Sequence, residues 1–334
     1  LHWRGERAWQ KALEELSAKG YAAEIGEISF EFVDDGDNFG GVSILKNLGV
    51  TDDVLDGSGV GERARERMGQ LSLRGENRDL PRPKLGSLHL GKTADLEAWW
   101  NYLPSQKALE QAEASTDLSS PALRILALLD SQRSLFDEFA EAADRPHAHL
   151  SPPLLHAEID GSLLLLEMPH FSPILDLSHT IYLRAVAAAR VAQGGSPESK
   201  ITIDSLRTLC RLAELSASDG MMIGQLVSAG VWRMFTEAVW ECQRNDSLSA
   251  EQWATLQNDL SRIEIEAMLF RAMQMEMIFT LETLDQSKRE FESFLDASGM
   301  REPEHRFLRL LPRGVFRQNQ ATIVERYLER VLGP

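Results

Sequence analysis

The sequence lacks any long hydrophobic run. Its densest apolar stretch, Leu163–Leu166, follows Ser162 and ends at Glu167. A helix that crosses a membrane needs roughly 20 consecutive apolar residues. The sequence therefore excludes a membrane-spanning helix, and we expect the chain to be soluble.

Positive charge is also in short supply. The 334 residues contain 35 Lys and Arg against 51 Asp and Glu, which gives a formal net charge of −16. A charge of this sign repels phosphate backbones and anionic lipid headgroups, so we expect no nucleic-acid partner. The 43% of hydrophobic residues is enough for a buried core in one large or two ordinary domains.

Cysteine is scarce, with Cys210 and Cys242 as the two examples. Each lies on an apolar stripe with helical spacing, and a buried free thiol behaves as a small hydrophobic group. We therefore predict two buried thiols without a disulfide. Two cysteines do not decide between the cytosol and the cell envelope.

Familiar catalytic and phosphate-binding motifs are missing. The chain has no Gly-x-Ser-x-Gly elbow. Its glycine-rich segment 57–61 follows no apolar strand and precedes no Gly-Lys-Ser/Thr, as a phosphate-binding loop would. We therefore interpret it as a flexible linker. The sequence assigns no catalytic residue and no cofactor.

The other ionisable and sulfur-containing residues favour structural roles. The histidines lack the spacing of metal ligands and are interpreted as polar loop residues (His147, His149, His156, His179), with His170 as a structural hydrogen-bonding residue at a helix start. Glu237 and Glu241 are one helical turn apart, which is typical of a solvated helix face. Met273, Met275 and Met277 are interpreted as core filler or as an adaptable contact surface. No metal is expected.

Helical patterns fill the chain from residue 94 onward. Start signals occur at Thr93, Ser120-Pro121, Ser172-Pro173 and Ser196-Pro197, and Ser249 with Gln252 forms a capping box. The predicted helices cover residues 3–19, 93–102, 120–145, 172–193, 196–217, 221–243, 249–264, 303–311 and 315–332. A further long helix reaches residue 297 and is either continuous with the helix over 249–264 or separate from it.

These patterns predict a mainly α fold, an antiparallel helical stack occupying residues 94–334. The alanines at 185–189 and the Gly194-Gly195 turn resemble a degenerate tetratricopeptide-like hairpin. Residues 1–93 are predicted as a helix followed by irregular cover. Short extended segments are expected at 28–32 and 85–90, where apolar and polar residues alternate.

The order of several weak motifs resembles a family of helical proteins of planctomycete and verrucomicrobial type, to which no activity is assigned. The resembling residues are Trp9 with Gly20, Asp37-Asn38-Phe39, Asp95-Leu96 with Trp99, Leu126–Leu129, Arg145-Pro146-x-Ala148, Pro169-His170, Arg184-Ala185, Arg211-Leu212-Ala213 and Ile223-x-Gln225-Leu226-Val227. Members are expected to carry an N-terminal signal or anchor. The resemblance implies a place in the cell envelope, with the membrane reached only through such an anchor. We take the start at Leu1 rather than Met as agreeing with this expectation.

A locally basic segment interrupts the acidic chain at residues 62–84. It contains seven cationic residues against four acidic ones: Arg63, Arg65, Arg67, Arg74, Arg78, Arg82 and Lys84. Such a segment docks on an acidic partner or on the acidic body of the same chain, and the large negative excess favours the second.

Three functions remain open from the sequence. The first is a non-enzymatic interaction or scaffold protein of the cell envelope that binds another protein. The second is an enzyme of unrecognised class with a pocket near Arg145, His170 and Arg184. The third is a binder of a small apolar ligand, for which the Met-rich segment 268–277 is the hint.

Overall fold

The structure is a computed structural model, and it describes residues 2–24, 27–28, 33–49, 59–71, 81–103, 119–151, 168–289 and 313–331. Its α-helices are α1 (His2–Ala18), α2 (Val60–Leu71), α3 (Leu96–Tyr102), α4 (Pro121–Asp130), α5 (Arg133–Ala142), α6 (Phe171–Val191), α7 (Pro197–Ala217), α8 (Met222–Arg244), α9 (Ala250–Ser261), α10 (Ile265–Arg289) and α11 (Arg313–Arg330). Phe39–Gly41 and Leu88–Leu90 form short 3-10 turns.

The mainly α fold is confirmed, and α6, α7 and α8 form its centre. Each of these three helices contacts the other two. The links between them are short, so consecutive helices run antiparallel. Gly195 adopts a φ of 84° in the turn between α6 and α7, a conformation that glycine tolerates at little cost. The likeness of this hairpin to a tetratricopeptide repeat stays a prediction.

Three predicted helix starts are confirmed by hydrogen bonds at the N-cap. The hydroxyls of Ser120 and Ser196 each accept a hydrogen bond from the backbone three residues on, and Ser249 with Gln252 forms the predicted capping box. The start at Thr93 is wrong. Asp95 caps α3 instead, with its carboxylate accepting from the Ala98 N–H.

Two other helical regions differ from the sequence prediction. The single helix expected over 120–145 is divided into α4 and α5, and the Ser131 hydroxyl donates to the Leu128 carbonyl at the break. The coil expected over residues 41–93 contains α2. Its buried side chains, Ala64 and Met68, have helical spacing, but two apolar positions among charged residues give a weak helical pattern.

The expected extended segments yield little regular structure. Residues 29–32 lie outside the described part of the chain. The segment 85–90 forms a 3-10 turn, closed by an isolated bridge between Ser87 and Lys92. A second isolated bridge joins Asn38 to His147.

In the described part of the chain, two apolar clusters hold the helices together. The larger cluster surrounds α6, α7 and α8 and takes in α3, α4 and the turn at residues 39–48. In the smaller one, Trp9 and Leu16 of α1 pack with Ile278 of α10 and Val324 of α11. The first helix therefore packs against the last, while the domain boundary at residue 93 stays a prediction. Among the described helices, none is long and apolar enough to cross a membrane.

Candidate interaction site

The segment from residue 81 to residue 94 runs along α6, where it contacts Asp176, Tyr182 and Arg190, and past the C-terminal end of α8. Its first thirteen residues contain Arg82, Lys84 and Lys92 but no acidic residue, in contrast with the acidic chain as a whole. Within it, the Ser87 N–H donates to the Lys92 carbonyl at 2.6 Å, and the Lys92 N–H donates to the Ser87 carbonyl at 3.0 Å. Gly91 closes the turn with a φ of 59°. We call residues 86–94 the surface loop.

Four buried or half-buried side chains from α6 and α8 hold the backbone of the surface loop. Tyr182 accepts from the Gly86 N–H at 3.0 Å, and Glu237 accepts from the Leu88 N–H at 2.7 Å. Glu241 accepts from the Ala94 N–H at 2.5 Å, and Arg190 donates to the Ala94 carbonyl at 3.0 Å. Both ends and the middle of the loop are thus tied to the helical body.

Glu241 and Arg190 also form an ion pair with each other. The Nε and Nη2 atoms of Arg190 lie 3.1 and 2.8 Å from Oε2 of Glu241. The Glu241 side chain has no exposed surface, and that of Arg190 is 28% exposed. Burial, together with these carboxylates, raises the pKa of Tyr182, so its hydroxyl stays protonated.

The prediction of a solvated face for Glu237 and Glu241 is wrong. The two side chains lie on one helix face as expected, but both are buried. Their partners, Leu88 and Ala94, lie almost 150 residues earlier in the chain. The spacing on α8 therefore could not reveal them.

The apex of the surface loop points apolar side chains at solvent. Leu88 is 45% exposed and Leu90 is 69% exposed, while His89 and Lys92 are also exposed. Buried carboxylates are expensive to desolvate, and here they fix a turn whose leucines stay outside the core. The arrangement produces a rigid apolar knob with basic flanks. The sequence analysis did not select Leu88 and Leu90 as site residues.

The predicted basic segment is divided by the structure. Arg63, Arg65 and Arg67 belong to α2, whereas Arg74 and Arg78 lie outside the described residues. Arg82 forms an ion pair with Asp176 of α6 at 2.7 Å, and Lys84 is exposed. At Arg82, the segment docks on the acidic body of its own chain. A docking role for the rest stays a prediction.

Arg145 links two loops through hydrogen bonds. Its Nη1 donates to the carbonyls of Asp35 at 3.1 Å and Asn38 at 3.0 Å, and its own carbonyl accepts from Arg211 at 2.7 Å. Asn38 in turn exchanges hydrogen bonds with the backbone of His149. These contacts hold the turn at residues 35–41 against the segment that follows α5.

His170 faces Asp219 in the interior. The two side chains have no exposed surface, and Nε2 of His170 lies 3.7 Å from Oδ2 of Asp219. Among the described residues, neither of these atoms has a hydrogen-bond partner. The His170 ring lies tilted against the Phe171 ring at a centroid distance of 4.1 Å. Because the pair is sealed from solvent, a substrate cannot reach it in this conformation.

Arg184 lies between α5, α6 and α7. Its Nη1 donates to the Ser205 hydroxyl at 2.9 Å, and its guanidinium sits 4.4 Å from the centre of the Phe136 ring. Burial lowers the pKa of Arg184 to about 10. Within the described part of the chain it forms no ion pair with a carboxylate.

The three predicted pocket residues make separate contacts along α7. Arg184 reaches Ser205, Arg145 reaches Arg211, and His170 reaches Asp219 just beyond the helix end. The first and last of these positions are 14 residues apart, about 20 Å at the rise of an α-helix. The structure does not bring the three side chains to one point.

The other residues that the sequence analysis considered for metal binding or chemistry have structural roles where the structure describes them. Cys210 and Cys242 are free and buried as predicted, and burial raises the pKa of both thiols, that of Cys242 to about 12. Met275 and Met277 are buried core residues. The backbone of His147 hydrogen-bonds to that of Asp37 and Phe39, and the His149 N–H donates to the Asn38 side chain. His156 lies outside the described residues. Within the described ranges, no three His, Cys, Asp or Glu side chains converge as metal ligands would.

A surface cleft of about 460 Å³ opens on one face of α10. Its described lining consists of Glu266, Ala267, Phe270, Arg271 and Gln274. The Phe270 ring lies 5.6 Å from that of Tyr21. Ile265 and Leu269, on the same helix, are 57% and 44% exposed. The cleft thus has an aromatic wall beside exposed aliphatic side chains.

Comparison with known proteins adds no relative. No protein-family model, curated protein or solved structure matches the chain.

Proposed function

We propose that this chain is a non-enzymatic interaction or scaffold protein that binds another protein through its surface loop. One observation carries the proposal. Four side chains of α6 and α8 hold the loop backbone, yet the loop exposes Leu88 and Leu90 rather than adding them to the core.

A rigid loop is suited to binding because little conformational entropy is lost when a partner covers it. The exposed leucines supply apolar contact area, and Lys84 and Lys92 flank them with positive charge. The partner we propose therefore presents an apolar recess with acidic edges.

The polar residues that the sequence offered for catalysis support the same proposal. Arg145 binds backbone carbonyls, and His170 is enclosed with Asp219. Arg184 hydrogen-bonds to Ser205 under the cover of Phe136. Each of these side chains is engaged inside the fold rather than presented to a substrate.

Localisation in the cell envelope is part of the proposal and depends on the family resemblance. Fractionation of cells that express the intact gene would test it directly. Recovery of the protein in envelope fractions supports the proposal, and recovery in the cytosolic fraction alone contradicts it.

In-cell photo-crosslinking tests binding through the surface loop. A photo-crosslinking amino acid would replace Leu90 in one variant and Trp3 in a control, because these side chains are 69% and 67% exposed. We expect position 90 to capture a discrete protein and position 3 not to capture it. A further Leu88→Asp substitution should abolish the product. Identical products from positions 90 and 3 would contradict specific binding by the loop.

A further inference from the structure

Both acidic residues of α8 are used to hold the surface loop. The helix contains two carboxylates, Glu237 and Glu241, and both are buried. Its two arginines, Arg233 and Arg244, are exposed. The solvent-facing side of α8 beside the loop therefore carries positive charge without an exposed carboxylate, although the chain as a whole has a formal net charge of −16.

Arg233, Trp240 and Arg244 lie on the side of α8 to which the loop is attached. Glu237, which accepts from the Leu88 N–H, is four residues after Arg233 and three before Trp240, and Arg244 follows Trp240 by four. These spacings place side chains on one helix face. The Arg244 guanidinium lies 5.7 Å from the centre of the half-buried Trp240 ring. We call Arg233, Trp240 and Arg244 the cationic face of α8.

The cationic face and the surface loop together form one patch of positive charge. The loop contributes the exposed Leu88, Leu90 and Lys92, and Lys84 lies two residues before it. Among the described residues, no carboxylate forms an ion pair with either arginine of the cationic face. The patch therefore combines apolar and aromatic surface with four exposed cations.

The exposed acids that are nearest in the chain bound this patch. Asp95 directly follows the loop, and Asp246 lies two residues beyond the end of α8. The Asp95 carboxylate is engaged at the start of α3, where it accepts from the Ala98 N–H. The positive charge is thus local, and a complementary surface needs its carboxylates over a limited area.

We infer that one acidic surface of a partner protein covers the surface loop and the cationic face of α8 together. The inference rests on the proposed function and specifies where the partner's carboxylates lie, namely over Arg233 and Arg244, while its apolar recess receives Leu88 and Leu90. Tryptophan and arginine are enriched among the residues that dominate binding energy. Trp240 and Arg244 supply this pair at the centre of the contact.

The overall charge favours a protein over a membrane as the occupant. An anionic membrane has the same sign of charge as an acidic protein, but its charge extends beyond the patch. The chain, at −16, would be repelled by such a surface. A protein contact covers about 800 Å² of each partner, which confines the attraction to the patch.

Charge reversal on α8 tests the inference by in-cell crosslinking. The photo-crosslinking amino acid stays at position 90, and Arg233→Glu or Arg244→Glu is added. Both arginines are exposed, so the fold should persist, which thermal unfolding of the purified variants would verify. We expect the yield of the position 90 product to fall roughly tenfold, because the new carboxylate faces those of the partner.

Two control variants separate local charge from net charge. Arg326→Glu makes the same change in net charge at an exposed position of α11 and should leave the yield unchanged. Arg244→Lys keeps the positive charge and should retain most of the product. An equal loss from Arg326→Glu and Arg244→Glu would overturn the local contact.

A second crosslinking position locates the partner on α8. Thr236 is exposed and lies between Arg233 and Trp240 along the helix. A photo-crosslinking amino acid at position 236 should capture the same protein as position 90, at a segment that contains Asp or Glu. Replacing the carboxylates of that segment by lysine should restore the product of the Arg233→Glu or Arg244→Glu variant. Failure of both replacements to restore it would contradict the proposed pairing.

Flotation with lipid vesicles distinguishes a membrane from a protein partner. Purified chain would be mixed with vesicles of phosphatidylglycerol and, separately, with vesicles of phosphatidylcholine. We expect the chain to stay in the unbound fraction with both. Flotation with phosphatidylglycerol vesicles that Arg244→Glu abolishes would overturn the inference in favour of a membrane surface.

The position 90 product separates this inference from the proposed function. If a discrete protein is captured and both charge reversals leave its yield unchanged, the proposed function stands and the inference fails. If position 90 captures nothing beyond the position 3 control, both fail. A product that is lost in both reversals and is captured again from position 236 supports both.

Discussion

The guanidinium of Arg190 and the carboxylate of Glu241 bind the backbone of the same surface-loop residue, Ala94, one at its carbonyl and the other at its N–H. Arg190 donates to the Ala94 carbonyl, Glu241 accepts from the Ala94 N–H, and the two side chains pair with each other. The loop backbone is therefore part of a buried polar network. Its position depends on both helices at once.

Removing Glu241 should release the surface loop. Glu241→Ala leaves the Ala94 N–H without its acceptor and Arg190 without its ion-pair partner. We expect a loss of about 3 kcal/mol in the free energy of unfolding, measured by urea denaturation. Trypsin should also cut faster at Lys84 and Lys92. Glu325→Ala, at an exposed position of α11, is the control and should change both readouts little. Equal behaviour of the two variants would contradict the anchoring role.

Arg184 and Arg207 should respond in opposite ways to the same substitution. The pKa of Arg184 is lowered to about 10 from 12.5. Below pH 10 both folded and unfolded states carry the proton, so folding bears the full cost of burying this cation. Arg184→Met removes that cost and forfeits the contacts to Ser205 and Phe136. We expect stability to be unchanged or raised.

Arg207 is half-buried and has two carboxylate partners, Asp259 at 2.6 Å and the exposed Asp144 at 2.5 Å. Desolvation opposes its charge, but these hydrogen bonds prevail and raise the pKa of Arg207. Arg207→Met leaves Asp259 with the longer ion pair to Arg262 at 3.8 Å and should cost about 3 kcal/mol. Parallel urea denaturation of the two variants measures the contrast. A loss above about 2 kcal/mol for Arg184→Met would refute the unpaired-cation interpretation.

Two glycine-to-alanine substitutions should have opposite effects on the stability of the fold. A β-carbon at Gly40 would overlap the carbonyl oxygen of His149 and approach Leu215. Gly40→Ala should therefore cost about 3 kcal/mol. At Gly69, inside α2, no atom of the described residues lies within 4 Å of the same position, and φ is not positive. Gly69→Ala should stabilise by about 0.5–1 kcal/mol. Thermal unfolding of both variants gives the comparison, and a stable Gly40→Ala protein would argue against the packed turn.

Asp35 should contribute stability that depends on pH. Its carboxylate accepts from Lys46 at 2.6 Å and from Ser151 at 2.7 Å, and these bonds lower the pKa of Asp35 below its usual 3.8. The contribution is fully present above pH 3.8 and is lost as the pH falls through the lowered folded value. The side chain is 39% exposed, so the effect should stay below about 1 kcal/mol.

The melting temperatures of wild type and Asp35→Asn should differ at neutral pH and converge at acidic pH. Asp37→Asn changes an exposed carboxylate in the same turn and should show a smaller difference that does not follow this pattern. A gap between wild type and Asp35→Asn that widens on acidification would contradict the assignment.

Features that depend on nearby residues could be predicted from the sequence. The caps at Ser120, Ser196 and Ser249 are examples, because the bonded groups are three residues apart. The interiors of helices with recurring apolar residues could be predicted equally well. The mistaken Thr93 start shows the limit of this approach, since Asp95 offers a competing acceptor only two residues away.

Features that depend on distant residues could not be predicted. Glu237 and Glu241 have the spacing of a solvated face, and their burial is decided by a loop from the N-terminal third of the chain. The contrast between Arg184 and Arg207 has the same origin. Both are arginines on long helices, and only tertiary contacts give one of them carboxylate partners.

The packing of α1 against α11 has a consequence for how the protein is made. Nearly 300 residues separate Ala18 from Arg313, and a ribosome adds roughly 5–20 residues per second. The apolar face of α1, with Trp9 and Leu16, therefore waits on the order of 15–60 s for its partner helix to be synthesised. A newly made chain therefore passes through a period in which the apolar face of α1 depends on chaperones or transient contacts for cover.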